Sequence, residues 1–107
     1  MNHCLLNGLI ANKPLVLGNE QGVRFTIKTR YPSKQEGIKA GTAYVPCVVF
    51  ELSKEHFEIL KSEDYKKFRI ELSGRIRRSS YENDSGERVY NTEVVCNGSS
   101  VLLQKVK

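Results

Sequence analysis

The sequence predicts an all-β protein with one short helix, and three observations predict it. Apolar and polar residues alternate with a period of two over most of the chain, which is the pattern of strands with one buried face. Gly8 and Gly74 stand inside two of the alternating segments, where a coiled strand has to bend. Only residues 53–62 have plausible helical spacing. With 107 residues, the chain has room for one modest core, so we expect a single domain over residues 1–107.

The alternation also sets the order of the elements. Ser53 is a candidate N-cap for the helix, and turn-forming residues over 81–87 join two strands as a long β-hairpin. Residues 31–42 lack periodicity and are predicted to be a loop, and Pro14 and Gly18 mark an earlier break. The predicted elements are strands over residues 3–11, 23–28 and 43–51, a helix over 53–62, strands over 68–77 and 88–96, and a closing strand over 99–104.

This order of elements is that of the OB-fold, a five-stranded Greek-key β-barrel. The helix falls between the third and fourth strands, and the hairpin between the fourth and fifth strands is extended. Barrels of this kind commonly bind oligonucleotides or oligosaccharides on an exposed face and its flanking loops. The sequence therefore predicts a binding domain with this fold.

The distribution of charge favours a polyanionic partner. The formal net charge is +5. Positive residues recur over residues 24–39 and 69–88, where loops and the hairpin are predicted, whereas acidic residues cluster over 51–64. A basic surface for a nucleic acid is therefore the stronger interpretation, against a charge surplus that serves solubility alone.

Composition argues against catalysis, metal binding and a membrane location. His3 and His56 are the only imidazoles, and no catalytic pattern of nucleophile, base and orienting group is present. Cys4, Cys47 and Cys96 lack the spacing of metal ligands and stand among apolar neighbours, so we expect buried free thiols. The absence of a long apolar segment and of a secretory signal predicts a cytoplasmic protein. The absence of catalytic and metal-binding patterns predicts that it is non-enzymatic and has no cofactor.

Two segments combine aromatic and basic side chains on one strand face. On the third strand, the residues that share a face are Tyr44, Val48 and Phe50, opposite Val45, Cys47 and Val49. On the hairpin, they are Arg75, Arg77, Ser79 and Tyr81. A groove for a single-stranded nucleic acid needs cations for the phosphates and rings on which bases stack, so each segment is a candidate wall of such a groove.

Residues 70–95 resemble the family of bacterial single-stranded DNA-binding proteins. They have the family's order of a glycine, alternating basic residues, an aromatic residue, a D-x-x-G-like turn, a second aromatic residue and T-E-V-V. Residues 5–11, 24–27 and 44–50 resemble the family's first three strands, so the resemblance covers nearly the whole chain. It implies binding of single-stranded DNA (ssDNA) without strong sequence preference, in replication, recombination or repair.

The resemblance also implies where the bases would stack. Its aromatic positions correspond to Tyr44, Phe50 and Tyr81, with Tyr31 as a fourth, whereas Tyr65 and Tyr90 are expected to be structural. The candidates for phosphate contacts are the basic residues Arg30, Lys34, Arg77, Arg78 and Arg88. The family usually stacks bases on tryptophan, and this chain has none, so we expect weaker binding.

Assembly and partners follow from the same resemblance. It implies a homotetramer, or a homodimer like the related primosomal replication protein, paired partly through residues 3–9, where Leu5 and Leu9 flank Asn7. Most members continue into a flexible tail whose acidic tip recruits replication and repair enzymes. This sequence ends at Lys107, so it is either truncated or a tail-less relative.

Two other functions stay open. An OB-fold adaptor that docks onto a helicase or assembles a primosome would also present tyrosines and arginines. Single-stranded RNA is a further ligand class, since nothing in the sequence distinguishes RNA from DNA by its 2′-hydroxyl. Steep salt dependence of ssDNA affinity would separate nucleic-acid binding from the adaptor role.

Overall fold

Seven strands and one α-helix make up the part of the chain that the computed structural model describes, residues 3–18, 22–31 and 41–106. The elements are β1 (Cys4–Ile10), β2 (Leu15–Leu17), β3 (Gly22–Tyr31), β4 (Gly41–Phe50), α1 (Lys54–Lys61), β5 (Phe68–Glu82), β6 (Arg88–Asn97) and β7 (Leu102–Lys105), with 3-10 helices at Glu63–Lys67 and Gly98–Ser100. The predicted all-β class with one short α-helix is confirmed.

Five of the strands close into a ring. β1 pairs with β3 and with β5, β3 pairs with β4, β4 runs parallel to β6, and β6 pairs with β5. The helix lies between the third and fourth strands of this ring, so the predicted OB-fold is confirmed. The extended hairpin is also present, because β5 and β6 pair out to Glu82 and Arg88.

Gly8 and Gly74 allow neighbouring strands of the ring to approach closely. A Cβ on Gly8 would stand 2.3 Å from the carbonyl oxygen of Lys28, and a Cβ on Gly74 would stand 2.4 Å from that of Val95. Any other residue would push these backbones apart. The two glycines predicted to mark bends therefore lie where the backbone of a neighbouring strand in the ring approaches closely.

The core lies inside the ring and is covered by α1. Ser53 caps the helix as predicted, since its Oγ accepts a hydrogen bond from the backbone N–H of His56 at 3.2 Å. Of the cysteines predicted to be buried, Cys47 and Cys96 are buried and Cys4 is half-buried. The buried cluster comprises Val23, Phe25, Ile27, Cys47, Val49, Leu52, Leu60, Tyr65, Ile70, Leu72, Val94, Cys96 and Val101.

The break at Pro14 and Gly18 contains a strand that the sequence does not predict. β2 pairs with β3 over the whole of its length, but its three residues are too few for alternation to be recognised. The closing strand also differs: β7 begins at Leu102 rather than at Ser99, because residues 98–100 form a 3-10 turn. Both differences arise in segments of three residues, which are too short for an alternating pattern to be distinguished from chance.

The loop predicted over residues 31–42 is shorter at both ends. Tyr31 pairs with Gly41 and Arg30 pairs with Thr42, so β3 and β4 extend into the segment that lacks alternation. Pairing of the two backbones does not require an apolar face at the end of a ribbon. The remainder of this segment, residues 32–40, lies outside the described residues.

Candidate nucleic-acid interface

One face of the sheet points away from the core, and we call it the outer face. Along β3 it carries Arg24 and Lys28, which alternate with the buried Val23, Phe25 and Ile27. The face continues across the sheet because residues in register share it: Arg24 with Val48, Val48 with Val95, and Val95 with Arg75. By the same alternation it also carries Arg30, Tyr44, Phe50, Arg77 and Tyr81.

Two ribbons extend the outer face beyond the barrel. β3 and β4 form the first arm and pair out to Tyr31 and Gly41, and β5 and β6 form the second arm and pair out to Glu82 and Arg88. β4 and β6 pair with each other only over Cys47–Phe50 and Val94–Asn97. The arms therefore share a base and are not paired beyond it, which is the arrangement of two walls of a groove.

The predicted stacking residues differ in exposure. Tyr44 on the first arm is 60% exposed and Tyr81 on the second arm is 52% exposed, so both rings are available to a ligand. Phe50 is half-buried at the base, where its ring lies 3.4 Å from the position that a Cβ on Gly22 would take. Tyr31 ends β3, and its side chain lies outside the described residues.

The second arm separates the predicted phosphate contacts onto two faces. Arg77 and Tyr81 share the outer face, whereas Arg78 and Arg88 lie on the opposite side of the ribbon, which we call the back face. There the Arg88 Nη1 donates a hydrogen bond to Ser80 Oγ at 3.1 Å. Alternation predicted the Arg77 and Tyr81 pair correctly, and the same alternation excludes Arg78 from their side. Lys34 lies outside the described residues.

Tyr90 also lies on the back face, and it is 55% exposed. The guanidinium carbon of Arg78 stands 4.3 Å from the centroid of its ring, which is a cation–π contact. Tyr65 is buried in the core, whereas Tyr90 contacts Arg78 at the surface of the second arm, so its expected structural role stays a prediction. Tyr90 is exposed because the second arm extends past the barrel, and no core lies beneath this side of the ribbon.

Val48 is a further correction to the sequence interpretation. It shares the outer face with Tyr44 and Phe50, as predicted, yet it is 1% exposed. Arg24, its partner in register on β3, forms an ion pair with Glu93 on β6, so the arginine side chain passes across β4. A long side chain that lies along the sheet covers the apolar residue beneath it.

The ion-paired centre of the outer face is a feature that the sequence analysis missed. Arg77 Nη2 donates a hydrogen bond to Glu93 Oε1, and Arg24 Nη2 lies 3.6 Å from Glu93 Oε2. The hairpin register alone places Arg77 opposite Glu93, so counting back from the turn could have predicted that pair. Nothing local in the sequence connects Arg24 with Glu93, because 69 positions and a barrel closure separate them.

The buried thiols of Cys47 and Cys96 have low reactivity. Burial raises the pKa of the Cys47 thiol to about 12, and burial is also the main cause that raises the pKa of Cys96. Such thiols are poor nucleophiles at neutral pH because the thiolate is the reactive form. Among the described residues, no group of three or more His, Cys, Asp or Glu side chains could hold a metal ion. None of the helices in the described ranges is long and apolar enough to cross a membrane.

Comparison with known sequences supports the family resemblance. No family model matches the chain. Single-stranded DNA-binding protein 1 of Streptococcus pyogenes serotype M18 is 32% identical over 79 residues, which are 74% of this chain and 58% of that protein. The single-stranded DNA-binding protein of Lactiplantibacillus plantarum is 28% identical over 105 residues, which are 95% of this chain and 51% of that protein. The chain thus spans about half the length of the curated relatives it matches.

Solved structures share the fold over nearly the whole chain. The Plasmodium falciparum SSB in its complex with ssDNA has a TM-score of 0.72 at 17% identity. The match covers 100% of this chain and 96% of that SSB chain. Rim1, the mitochondrial single-stranded DNA binding protein of S. cerevisiae, has a TM-score of 0.62 at 14% identity, and the match covers 96% of this chain and 94% of the Rim1 chain. Together, the bacterial sequence relatives and the shared OB-fold confirm the resemblance predicted from residues 70–95: this chain is similar to bacterial single-stranded DNA-binding proteins.

Proposed function

We propose that this chain binds single-stranded DNA without strong sequence preference along the outer face, and that it protects or organises that DNA in replication, recombination or repair. The observation that carries the proposal is the pair of exposed tyrosines, Tyr44 and Tyr81, on one sheet face that also carries arginines. The relatives named single-stranded DNA-binding proteins support it. Binding is the whole activity, and no catalytic step or cofactor is part of the proposal.

Base stacking is the main source of affinity in this proposal. Each base stacked on an aromatic ring contributes roughly 1–3 kcal/mol, and it does so with little sequence preference because every base has a π-face. Tyr44 and Tyr81 supply rings on the two arms, and Phe50 supplies a half-buried ring at the base between them. Tyr31, at the end of the first arm, stays a candidate for a fourth stacking position.

Phosphate contacts on the same face come from Arg30 and Arg77. Arg30 lies opposite Thr42 on the first arm, one alternation step beyond the exposed Lys28. Arg78 and Arg88 face the other way, so in this proposal they contact phosphates only where the strand passes around the second arm. Lys34 belongs to the segment that continues the first arm in sequence and is retained as a candidate.

Self-association through β1 is part of the proposal. Leu5 and Leu9 are exposed on its outward side, and the exposed Leu102 of β7 lies on the same side of the sheet, beyond the polar β5 residue Glu71. Exposed leucines on one side of a sheet favour a contact surface between subunits. A homodimer or homotetramer in the cytoplasm is the expected assembly, and light scattering that returns the mass of one chain at micromolar concentration would exclude it.

Titration with dT oligonucleotides tests the binding proposal. Tyrosine fluorescence quenching and anisotropy are measured at several salt concentrations for the wild type and for Tyr44→Ala. We expect salt-sensitive binding, weaker binding to duplex DNA, and a loss of roughly 1–3 kcal/mol in Tyr44→Ala. A matched oligonucleotide of uridine shows whether RNA is also bound.

The opposite outcome has a definite meaning. If no oligonucleotide binds near physiological salt and Tyr44→Ala behaves like the wild type, the outer face does not bind nucleic acid. The adaptor function would then take its place, in which the OB-fold docks onto a helicase or another primosome component.

A further inference from the structure

Glu93 is a buried carboxylate on the outer face, most of whose described residues are exposed. Its side chain is 9% exposed, and its position on β6 is in register with the outer-face residue Arg77. An ionised carboxylate is costly to bury unless charged hydrogen-bonding partners compensate it. Glu93 has two charged partners: Arg77, which donates a hydrogen bond from the β5 side of the sheet, and Arg24, which forms an ion pair from the β3 side.

The two arginines reach Glu93 by different routes. Arg77 is its cross-strand neighbour and donates from Nη2 to Oε1. Arg24 stands two strands away and crosses β4 above Val48, so that its Nη2 lies 3.6 Å from Oε2. Because each guanidinium uses a different oxygen, one carboxylate fixes both side chains. We call these three residues the charged row.

Both guanidiniums remain able to bind a second anion. The side chains of Arg24 and Arg77 are each about half exposed, whereas the carboxylate beneath them is not. A guanidinium carries five N–H donors, and the contact with Glu93 occupies only part of that set. Two guanidiniums and one carboxylate leave the charged row with a formal charge of +1, so it still attracts a phosphate.

We propose that Glu93 is a positioning residue for ssDNA binding, and that Arg24 is a further ssDNA-binding residue held in place by it. The proposal rests on the proposed function and adds residues to that same face. Arginines that are already ordered lose less rotamer freedom when a phosphate binds than freely solvated arginines do. The charged row therefore presents two ordered cations across the base of the arms, where a strand running between Tyr44 and Tyr81 has to pass.

Glu93→Gln separates positioning from simple charge. The substitution keeps the shape and raises the net charge by one, so a carboxylate that merely neutralises arginines would give tighter ssDNA binding and a steeper salt dependence when removed. If Glu93 instead positions the arginines, its removal should weaken ssDNA binding. An amide has only one acceptor oxygen, so one guanidinium is released, and we expect dT oligonucleotide affinity to fall about tenfold.

Glu58→Gln is the matched control for charge. Glu58 lies on α1, away from the outer face, and pairs with Lys61 at 3.3 Å. The substitution changes the net charge by the same amount, and we expect the affinity for ssDNA to stay within about twofold, since charges beyond a Debye length are largely screened. Thermal unfolding of each variant shows whether the fold is retained.

Arg24 variants test the second half of the proposal, and they do not depend on the folding of Glu93→Gln. We expect Arg24→Ala to lower affinity about tenfold and to lower the slope of log affinity against log salt by about 0.7, the value for one phosphate contact on a single strand. Arg24→Lys should recover the slope but only part of the affinity, because lysine lacks the planar fork that contacts Glu93. Lys66→Ala, on the 3-10 helix, is the matched loss of one exposed cation.

Each outcome decides between the two proposals. Tighter binding in Glu93→Gln, or an unchanged affinity in Arg24→Ala, overturns the role of the charged row. If the wild type binds ssDNA and Tyr44→Ala weakens it while neither charged-row variant does, only this inference fails. If the wild type does not bind ssDNA at all, the proposed function itself fails.

Discussion

The inner and outer faces of β3 and β4 are built from alternate residues of the same strands, yet they have different properties. The inner residues Phe25 and Cys47 are buried in the core, whereas the outer residues Arg24, next to Phe25, and Pro46, next to Cys47, are exposed. Successive residues of a strand point to opposite faces, so a core residue is followed by one on the outer face. Stability and binding should therefore respond to different substitutions, even where the substituted residues are close in sequence.

The outer face is itself divided, which limits that separation. Tyr44 and Tyr81 are exposed at the arms, whereas Val48 and Glu93 are buried at the base, covered by arginines. The base of the outer face thus has some of the character of a core, but its cover is charged. Substitutions at the base should therefore reduce both stability and binding, whereas substitutions on the arms should reduce binding alone.

The largest expected effect contrasts Phe25→Ala with Tyr44→Ala. Removing a buried phenylalanine side chain leaves a cavity and should lower the free energy of unfolding by about 3–5 kcal/mol, whereas removing the exposed ring should change it by less than about 0.5 kcal/mol. Urea denaturation followed by circular dichroism measures both. A destabilisation of similar size in Tyr44→Ala would show that the Tyr44 ring packs against the fold and is not free to contact a ligand.

A second contrast compares the two faces of the second arm through Tyr81→Ala and Tyr90→Ala. Both remove one half-exposed ring from the same ribbon, but only Tyr81 shares the outer face with Arg77. We expect Tyr81→Ala to weaken ssDNA binding by roughly 1–3 kcal/mol and Tyr90→Ala by less than about 0.5 kcal/mol, measured by anisotropy. Equal losses would mean that the strand passes around the arm and contacts Arg78 as well.

The smallest effect concerns the pH dependence that the inner face imposes. Burial raises the pKa of Cys47 from 9.0 to about 12, so the unfolded chain loses this proton at a lower pH than the folded protein. The stability due to the neutral thiol is present below pH 9 and is lost as the pH rises towards 12, by on the order of 1 kcal/mol near pH 10. Denaturation from pH 8 to pH 10 should show a smaller decline in Cys47→Val than in the wild type. An equal decline in Cys47→Val and in the wild type would contradict this role of the buried thiol.

Much of the candidate site could be predicted because it depends on parity. Alternation alone placed Tyr44 with Phe50 and Arg77 with Tyr81, and the structure keeps both pairs on one face. Alternation does not predict burial along the whole of β6: Tyr90 shares a side with the buried Val94 and Cys96, yet it is exposed because no barrel core lies beneath it. How far an arm extends past the barrel depends on which residues of β4 and β6 pair, and no local pattern encodes that.

The sequence by itself determined the class of fold, the order of the elements, the capped helix and the faces of the long strands, because these follow from a period of two, a capping residue and turn formers that act over a few positions. Only the tertiary structure decided that the ring closes at Gly8 and Gly74, that β2 forms, and that Arg24 meets Glu93. Those features join residues far apart in sequence through barrel closure and through a side chain that crosses a neighbouring strand. The register between non-adjacent strands is a property of the whole packed sheet, so it appears only when the sheet is complete.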